Sequence, residues 1–236
     1  MRGKKALKVL SAIILLFALL FVAFQILHVR RITVTGCETR TEEEIIALSG
    51  LVTDVSIFSV DTAKAAEALL ADPYIKPVSV SVIYPDCVNI EIKERKEAAF
   101  IKKDDALLII DDECWLLDIR TNTDNVPYPQ ALGINMDELN VGQRLGAAED
   151  FQLEVLSKVL KQANERGVGL VSVDVSYAAG VILVIKEGFT AQIGDDTRLE
   201  TKFELLRSAV KELADMGKTG GRINVASGSK PYYREK

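Results

Sequence analysis

The chain has 236 residues, 29 of them basic and 34 acidic, and a formal net charge of −5 at pH 7. Four basic residues and no acids lie in the first eight positions, so the rest of the chain holds 25 basic and 34 acidic residues, a charge of about −9. An acidic region of this size is not expected to bind nucleic acid as its main task.

An apolar run from Val9 to Leu27 follows this basic segment and is interrupted only by Ser11 and Gln25. Nineteen helical residues cover about 28 Å, close to the hydrocarbon thickness of a bilayer. The run is longer than a signal-peptide core and lacks an Ala-x-Ala site after it, although a cleaved signal peptide stays open as the alternative. We therefore predict a cytoplasmic basic stub over 1–8 and a transmembrane helix over 9–28. The positive-inside rule puts the N-terminus in the cytoplasm and the rest of the chain outside the cytoplasmic membrane.

The next seventy residues carry the signals of a strand, two helices and two strands. The segment Arg31–Gly36 alternates apolar and polar residues and ends in glycine. Thr41 begins a helix with a capping box, and Asp61 caps a second helix. The alternating segments 78–83 and 88–93 predict two strands joined by a turn. This order predicts a small sheet covered by helices on one face.

These segments resemble a POTRA domain, a small extracytoplasmic module that docks other polypeptides. The likeness lies in Ile32-x-Val34-x-Gly36, Asp72-Pro73 before Val78-Ser-Val80, Tyr84-Pro85, and Ile90-x-Ile92-x-Glu94-Arg95. With one anchor directly before the module, the chain resembles the FtsQ/DivIB family of bacterial cell-division proteins. In that family x-Pro-x-Ala usually follows the Glu-Arg pair, whereas this chain has Lys96-Glu97-Ala98-Ala99.

The remaining chain predicts a second folded region made of helices and strands. Its predicted elements are a hairpin over 107–118, an extended loop over 127–142, a helix over 151–166, strands over 171–177, 181–186 and 189–193, a helix over 199–216 and a strand over 222–226. Gly188–Gly194, Lys202 and Ile223 resemble the closing strand-helix-strand unit of the family. Two departures are the missing glycine in the hairpin turn and Asn224, where the family often has Asp.

Together these observations predict an α+β protein with four parts after the stub. The parts are one N-terminal transmembrane helix, a β-α-α-β-β POTRA-like domain over 29–97, a C-terminal mixed α/β domain with a largely antiparallel sheet over 98–226, and a polar tail over 227–236.

The sequence offers few catalytic candidates. His28 is the only histidine and lies at the predicted membrane edge, so it cannot serve a Ser-His-Asp or Cys-His site in a folded domain. The acidic groups at 42–44, 111–113 and 195–196 are interpreted as a helix cap and solvated turn acids, with a calcium site at 111–113 as the alternative. We predict that the protein is not an enzyme and has no cofactor and no bound metal.

Cysteine is sparse and fits no metal pattern. Cys37, Cys87 and Cys114 are odd in number, and their spacing matches no zinc motif. We interpret them as small semi-buried residues, with one disulfide plus a free thiol as the alternative.

The resemblance implies that the function lies in binding. The last strand, 222–226, is short and is predicted at a sheet edge, where unpaired backbone groups can accept a strand from a partner. In the family, bitopic coiled-coil division proteins of the FtsL and FtsB/DivIC types bind around the last helix and strand. By this resemblance the predicted partner-binding residues are Arg222, Ile223 and Val225 in the strand, Arg207 and Lys211 on the helix, and Tyr232 and Tyr233 as flanking anchors. The open alternative is that Ile223 and Val225 only pack the core and that the tail is disordered.

The resemblance also implies a scaffold in the cytoplasmic membrane at the division septum, which links septum assembly to wall synthesis and has septal wall synthases as further partners. Two other classes stay open. One is a membrane-anchored cell-wall hydrolase. The other is a POTRA-bearing transport or assembly component, which would require repeated modules and more alternating strands than the chain provides.

Overall fold

The computed structural model describes residues 10, 12–19, 21–22, 27–76, 78–121, 126–136, 139–146, 150–177 and 179–235. The chain divides into two compact units, Met1–Glu94 and Arg95–Lys236, which we call the N-terminal unit and the C-terminal unit.

The predicted basic stub and part of the predicted membrane span lie outside the described residues. Those described between 10 and 22 are helical, and their large apolar side chains are 45–68% exposed. Within the described residues, no helix combines the length and the apolar character that crossing a membrane requires.

From residue 27 on, the described part of the N-terminal unit forms a three-stranded sheet with two helices. Its elements are β1 (Arg31–Thr35), α1 (Glu42–Ser49), a 3-10 turn (Ile57–Ser59), α2 (Thr62–Leu70), β2 (Ser79–Ile83) and β3 (Cys87–Glu91). The strand order is β1-β3-β2, with β1 parallel and β2 antiparallel to β3.

Both helix starts of this unit are confirmed. The Thr41 hydroxyl accepts a hydrogen bond from the Glu44 N–H at 3.3 Å, and the Glu44 carboxylate accepts one from the Thr41 N–H at 3.2 Å. The Asp61 carboxylate accepts one from the Lys64 N–H at 3.0 Å. These bonds satisfy N–H groups that a helix start leaves unpaired, so short local signals were enough to predict both helices.

The C-terminal unit is a nine-stranded mixed sheet with two long helices. Its elements are β4 (Ala99–Lys103), β5 (Ala106–Ile110), β6 (Leu116–Arg120), β7 (Gln130–Leu132), α3 (Asp150–Glu165), β8 (Leu170–Asp174), β9 (Val181–Ile185), β10 (Phe189–Gly194), α4 (Leu199–Asp215), β11 (Gly221–Asn224) and β12 (Tyr232–Arg234). The strand order is β12-β11-β10-β9-β8-β7-β4-β5-β6. The predicted α+β class is confirmed. The sheet was predicted to be largely antiparallel and is mixed, since five of these eight pairings are antiparallel and three are parallel.

Two short strands fall where the sequence predicted none. β7 lies inside the predicted loop 127–142, and β12 lies inside the predicted polar tail 227–236. Each has three residues, which is too short for an alternating pattern to be recognised. The sequence analysis missed both strands because these segments become extended through pairing with neighbouring strands.

One apolar core holds the C-terminal unit together. Leu156 of α3, Phe203 of α4, and Ala191 and Ile223 of the sheet are fully buried members of it. Since side chains alternate along a strand, Arg222 points to the other face of the sheet, where it is exposed. The helices therefore cover one face of β10 and β11 and leave the other open.

Candidate functional site

β12 forms one edge of the nine-stranded sheet. It pairs antiparallel with β11, and within the described residues no strand pairs with its other side. The prediction that 222–226 forms the edge was therefore wrong, because β11 lies between β10 and β12. The unpaired backbone groups that could accept a partner strand belong to β12 instead.

Tyr233 holds β12 against the sheet. Its ring packs edge-on against Phe189, with centroids 6.4 Å apart, and its hydroxyl donates to the Gly220 carbonyl at 2.9 Å. Gly221 has φ of +121°, and a Cβ there would lie 2.7 Å from the Tyr233 ring and 2.8 Å from the Arg234 carbonyl oxygen. The absence of a side chain at Gly221 therefore lets β12 approach β11.

The predicted strand residues separate into buried and exposed groups. Ile223 and Val225 are fully buried, which agrees with the alternative that they pack the core. Arg222 and Arg234 are exposed and stand directly opposite each other on β11 and β12. Like charges at such positions repel, so an acidic group brought to this edge would be attracted. Tyr232 is 69% exposed beside them.

The predicted helix residues lie on a different surface. Arg207 and Lys211 are exposed one turn apart on α4, whose Leu206 is buried in the core. They therefore belong to the helix-covered side of the sheet, whereas Arg222 and Tyr232 belong to the β11–β12 edge. The structure brings the strand residues together but does not place the helix residues in the same patch.

Comparison with known proteins assigns this chain to a family. The model of the FtsQ-type POTRA domain matches residues 27–95. The cell division protein DivIB of Clostridium botulinum is 24% identical over the whole of this chain and 93% of that protein. The chain belongs to the FtsQ/DivIB family. Two other members are more identical over shorter stretches.

The cell division protein DivIB of Bacillus subtilis is 31% identical over 69% of this chain and 61% of that protein. The cell division protein FtsQ of Corynebacterium glutamicum is 32% identical over 44% of this chain. The match spans about half, 49%, of the corynebacterial protein.

In this FtsQ/DivIB chain, Glu94 closes the N-terminal unit. Its side chain is buried, and its carboxylate accepts the backbone N–H groups of Glu38, Thr39 and Arg40 at 3.1, 2.9 and 3.1 Å. Burial alone would raise the pKa of Glu94, but hydrogen bonds from Thr39 and its neighbours outweigh that effect and leave the pKa below its ordinary value. Glu94 is therefore a charged anchor for the loop between β1 and α1.

Arg95, the next residue, belongs to a buried ion pair in the C-terminal unit. Its guanidinium donates to the Asp111 carboxylate at 2.6 Å and lies 4.0 Å from the centroid of the Trp115 ring. Asp111 is fully buried and also accepts the N–H groups of Glu113 and Trp115 at 2.9 and 2.8 Å. The interpretation of Asp111 as a solvated turn acid was wrong. A usable signal was its place directly after the fully apolar end of β5, which carries it into the core.

The three cysteines are free thiols, so the disulfide alternative was wrong. Cys114 takes φ of +62° in the turn between β5 and β6. Burial, with a smaller contribution from the Asp111 carboxylate, raises the pKa of the Cys114 thiol to about 12, so it stays protonated. Among the residues that the structure describes, no cluster of His, Cys, Asp or Glu could hold a metal ion.

Asp195 is also more than a turn acid. Lys202 of α4 is fully buried, and its ammonium donates to the Asp195 carboxylate at 2.6 Å and to the Asp195 carbonyl at 2.9 Å. The hydrogen bond from Lys202, followed by that from Thr197, lowers the pKa of Asp195 to about 2. This pair fixes the start of α4 to the end of β10.

Proposed function

We propose that the protein is a non-enzymatic scaffold of the bacterial division machinery, anchored in the cytoplasmic membrane by 9–28 and expected at the septum. The supporting observation is its similarity, along the whole chain, to a protein named for cell division. In this proposal the N-terminus lies inside the cell, and the POTRA-like region, 29–97, and the C-terminal region, 98–226, lie outside the membrane. The scaffold would connect septum assembly to wall synthesis.

The partners in this proposal are bitopic division proteins of the FtsL and FtsB/DivIC types. The outer edge of β12 supports strand addition by such a partner, because its backbone groups on that side have no strand to pair with in the described residues. The facing guanidinium groups of Arg222 and Arg234 favour a partner segment that carries an acidic residue. Tyr232 adds an exposed aromatic side chain of the kind that often dominates binding energy.

The other predicted residues have different roles in this proposal. Ile223, Val225 and Tyr233 hold the edge in place from within, since two are fully buried and the third is bonded to Gly220. Arg207 and Lys211 would be touched only by a partner long enough to reach the helix layer as well.

A binding assay with the full-length protein and purified FtsL- and FtsB/DivIC-type partners tests the edge. Arg234→Glu places an acid opposite Arg222, which favours strand pairing and repels an acidic partner. We expect binding to fall by at least about tenfold, and Tyr232→Ala to weaken it by a similar factor.

Lys102→Glu is the matched control. Lys102 is exposed on β4, six strands away from β12 and thus about 29 Å along the sheet, so its charge reversal should leave binding unchanged. Wild-type binding by Arg234→Glu and Tyr232→Ala would remove the support for strand addition at this edge.

Localisation tests the division role separately. A fluorescent fusion of the full-length chain should form a band at mid-cell in dividing cells. Uniform fluorescence around the membrane would contradict the septal role, and diffuse fluorescence would contradict the anchor.

A further inference from the structure

Two aromatic side chains of the N-terminal unit stand together on its surface. Phe58 is 69% exposed and Tyr84 is 62% exposed, and their ring centroids are 6.0 Å apart. Contiguous exposed apolar surface, unlike single scattered side chains, is a mark of protein or membrane contact sites. Neither ring belongs to the edge formed by β12, which lies in the C-terminal unit.

The loop that carries Phe58 is bonded to the end of the apolar run. Leu27, the last residue of that run, accepts a hydrogen bond at its carbonyl from the Ile57 N–H at 3.0 Å. The Val29 N–H donates to the Val55 carbonyl at 2.8 Å. Phe58 is therefore the neighbour of Ile57, which is hydrogen-bonded to Leu27 at the end of the apolar run.

The loop that carries Tyr84 is hydrogen-bonded to Arg30 and Arg31, the two residues after Val29. The Asp86 carbonyl accepts the N–H groups of Arg30 and Arg31 at 2.8 and 3.2 Å. The two exposed aromatic residues thus lie on the two loops that hold residues 27–31.

The segment that leaves the apolar run is part of the folded unit rather than a free linker. Val29 is fully buried and forms a cluster with Ile57 and Val88, against which Leu27 also packs. The N-terminal unit therefore begins its fold at the residue where the apolar run ends. With the proposed anchor in a bilayer, these two loops would lie at the level of the lipid headgroups.

We propose that Phe58 and Tyr84 insert into the interfacial layer of the same bilayer that 9–28 crosses, and so hold the N-terminal unit against the membrane. This inference rests on the proposed anchor. Tyrosine favours the membrane–water interface because its ring is apolar and its hydroxyl can stay hydrated. Phenylalanine beside it would bury its apolar ring at the boundary between headgroups and acyl chains. Arg30 and Arg31, whose N–H groups are bonded to the loop that carries Tyr84, have exposed cationic side chains, and such side chains attract lipid phosphates.

Fluorescence quenching by lipid in the full-length protein tests this contact. Trp115 is the only tryptophan, so Trp115→Phe gives a background without one. In that background Phe58→Trp is compared in vesicles of phosphatidylcholine and phosphatidylglycerol, with and without bromine on the upper acyl-chain carbons. We expect bromine to reduce the emission of this tryptophan at least about twofold, as for an interfacial aromatic residue.

Leu70→Trp in the same background is the matched control. Leu70 is 49% exposed and lies at the end of α2, two residues before Asp72. Asp72 forms an ion pair with Arg40 at 2.6 Å. Arg40 follows the C-terminal end of β1, whereas Leu27 precedes its N-terminal end. β1 alone spans about 16 Å, so this tryptophan should keep its emission in brominated vesicles.

The outcomes separate the contact from the anchor. Flotation with the vesicles and quenching of Phe58→Trp alone would support the proposal. Flotation without quenching of Phe58→Trp, or with equal quenching of Leu70→Trp, would overturn the proposed contact and leave the anchor intact. Failure to float would overturn the anchor, and the contact with it.

Discussion

Two consecutive residues, Glu94 and Arg95, hold two different units by different means. Glu94 is bonded to the backbone N–H groups of one loop, whereas Arg95 is paired with the buried carboxylate of Asp111. The two residues form one Glu-Arg pair in the family resemblance, but in the structure each stabilises a different unit.

The difference between the two anchors lies in what remains when one partner is lost. Removing the Glu94 carboxylate would leave several neutral N–H groups, which water can reach in part. Removing the Arg95 guanidinium would leave the buried charge of Asp111 without a cation, and an uncompensated buried charge is strongly destabilising. The C-terminal unit should therefore be the more sensitive of the two.

The largest expected effect is from Arg95→Ala. It should lower the free energy of unfolding of the C-terminal unit by about 3–5 kcal/mol. Hydrogen exchange followed by mass spectrometry, read from peptides of each unit, should show faster exchange in Arg95–Lys236 and little change before Glu94.

Arg31→Ala is the matched control for this change. Arg31 forms an exposed ion pair with Asp86 at 3.5 Å, so its removal should cost less than about 1 kcal/mol. Equal effects of the two arginine substitutions would contradict the conclusion that the buried charge of Asp111 makes the loss of Arg95 costly.

The next effect concerns the edge strand. Gly221→Ala should combine backbone strain of about 1–3 kcal/mol with a clash against Tyr233. We expect the amides of 232–234 to exchange rapidly and partner binding to be lost, because β12 can no longer dock. Gly217→Ala separates the two causes, since Gly217 also has positive φ but a Cβ there meets nothing within 4 Å. If both variants keep β12 protected, the close approach does not hold this strand.

Glu94→Gln should have a smaller effect, confined to the N-terminal unit. The amide loses the charge that strengthens the bonds from the loop, so we expect a loss of about 1–3 kcal/mol at neutral pH. Glu91→Gln, at an exposed position of β3, should change stability by less than about 0.5 kcal/mol.

The lowered pKa of Glu94 predicts how its contribution to stability changes with pH. Its pKa is lower in the folded chain than its ordinary value of 4.5, so its stabilisation is present above that value and is lost as the pH falls through the folded pKa. The wild type and Glu94→Gln should therefore converge in acid. A difference that stays constant down to acid unfolding would show that the charge is not responsible.

The smallest expected effect is from Asp195→Asn, because the carboxylate is 49% exposed and solvent weakens its ion pair with Lys202. The folded pKa of about 2 lies below the ordinary value of 3.8. The stabilisation is therefore complete above the ordinary value and disappears between it and about pH 2. Unfolding midpoints measured across this range should converge, and identical midpoints at neutral pH would show that the pair adds nothing.

Local signals predicted the regular part of this fold. The Thr41 and Asp61 caps are complete within four residues, so the sequence was enough to place both helices. The long amphipathic helices α3 and α4 were predicted within two residues of their observed ends for the same reason, since their period repeats over several turns.

Distant partners decide what the sequence did not predict. The partner that compensates the buried Asp111 is Arg95, sixteen positions earlier in the chain. The edge moved from 222–226 to β12 because Tyr233 packs on Phe189, forty-four positions away in the chain. Neither contact leaves a pattern within a short window, and so the sequence analysis placed the sheet edge on β11, one strand away from the strand that forms it.

The short strand β7 has a mechanical consequence for the large sheet. It has three residues and joins β4 on one side, in register at Phe100 and Gln130, to β8 on the other. A pull applied across the sheet, from β6 toward β12, would separate this joint first at β4–β7, which has one matched pair of residues, whereas the other pairings have three to five. The joint would then set the tension that the C-terminal unit can carry before it divides into two smaller sheets.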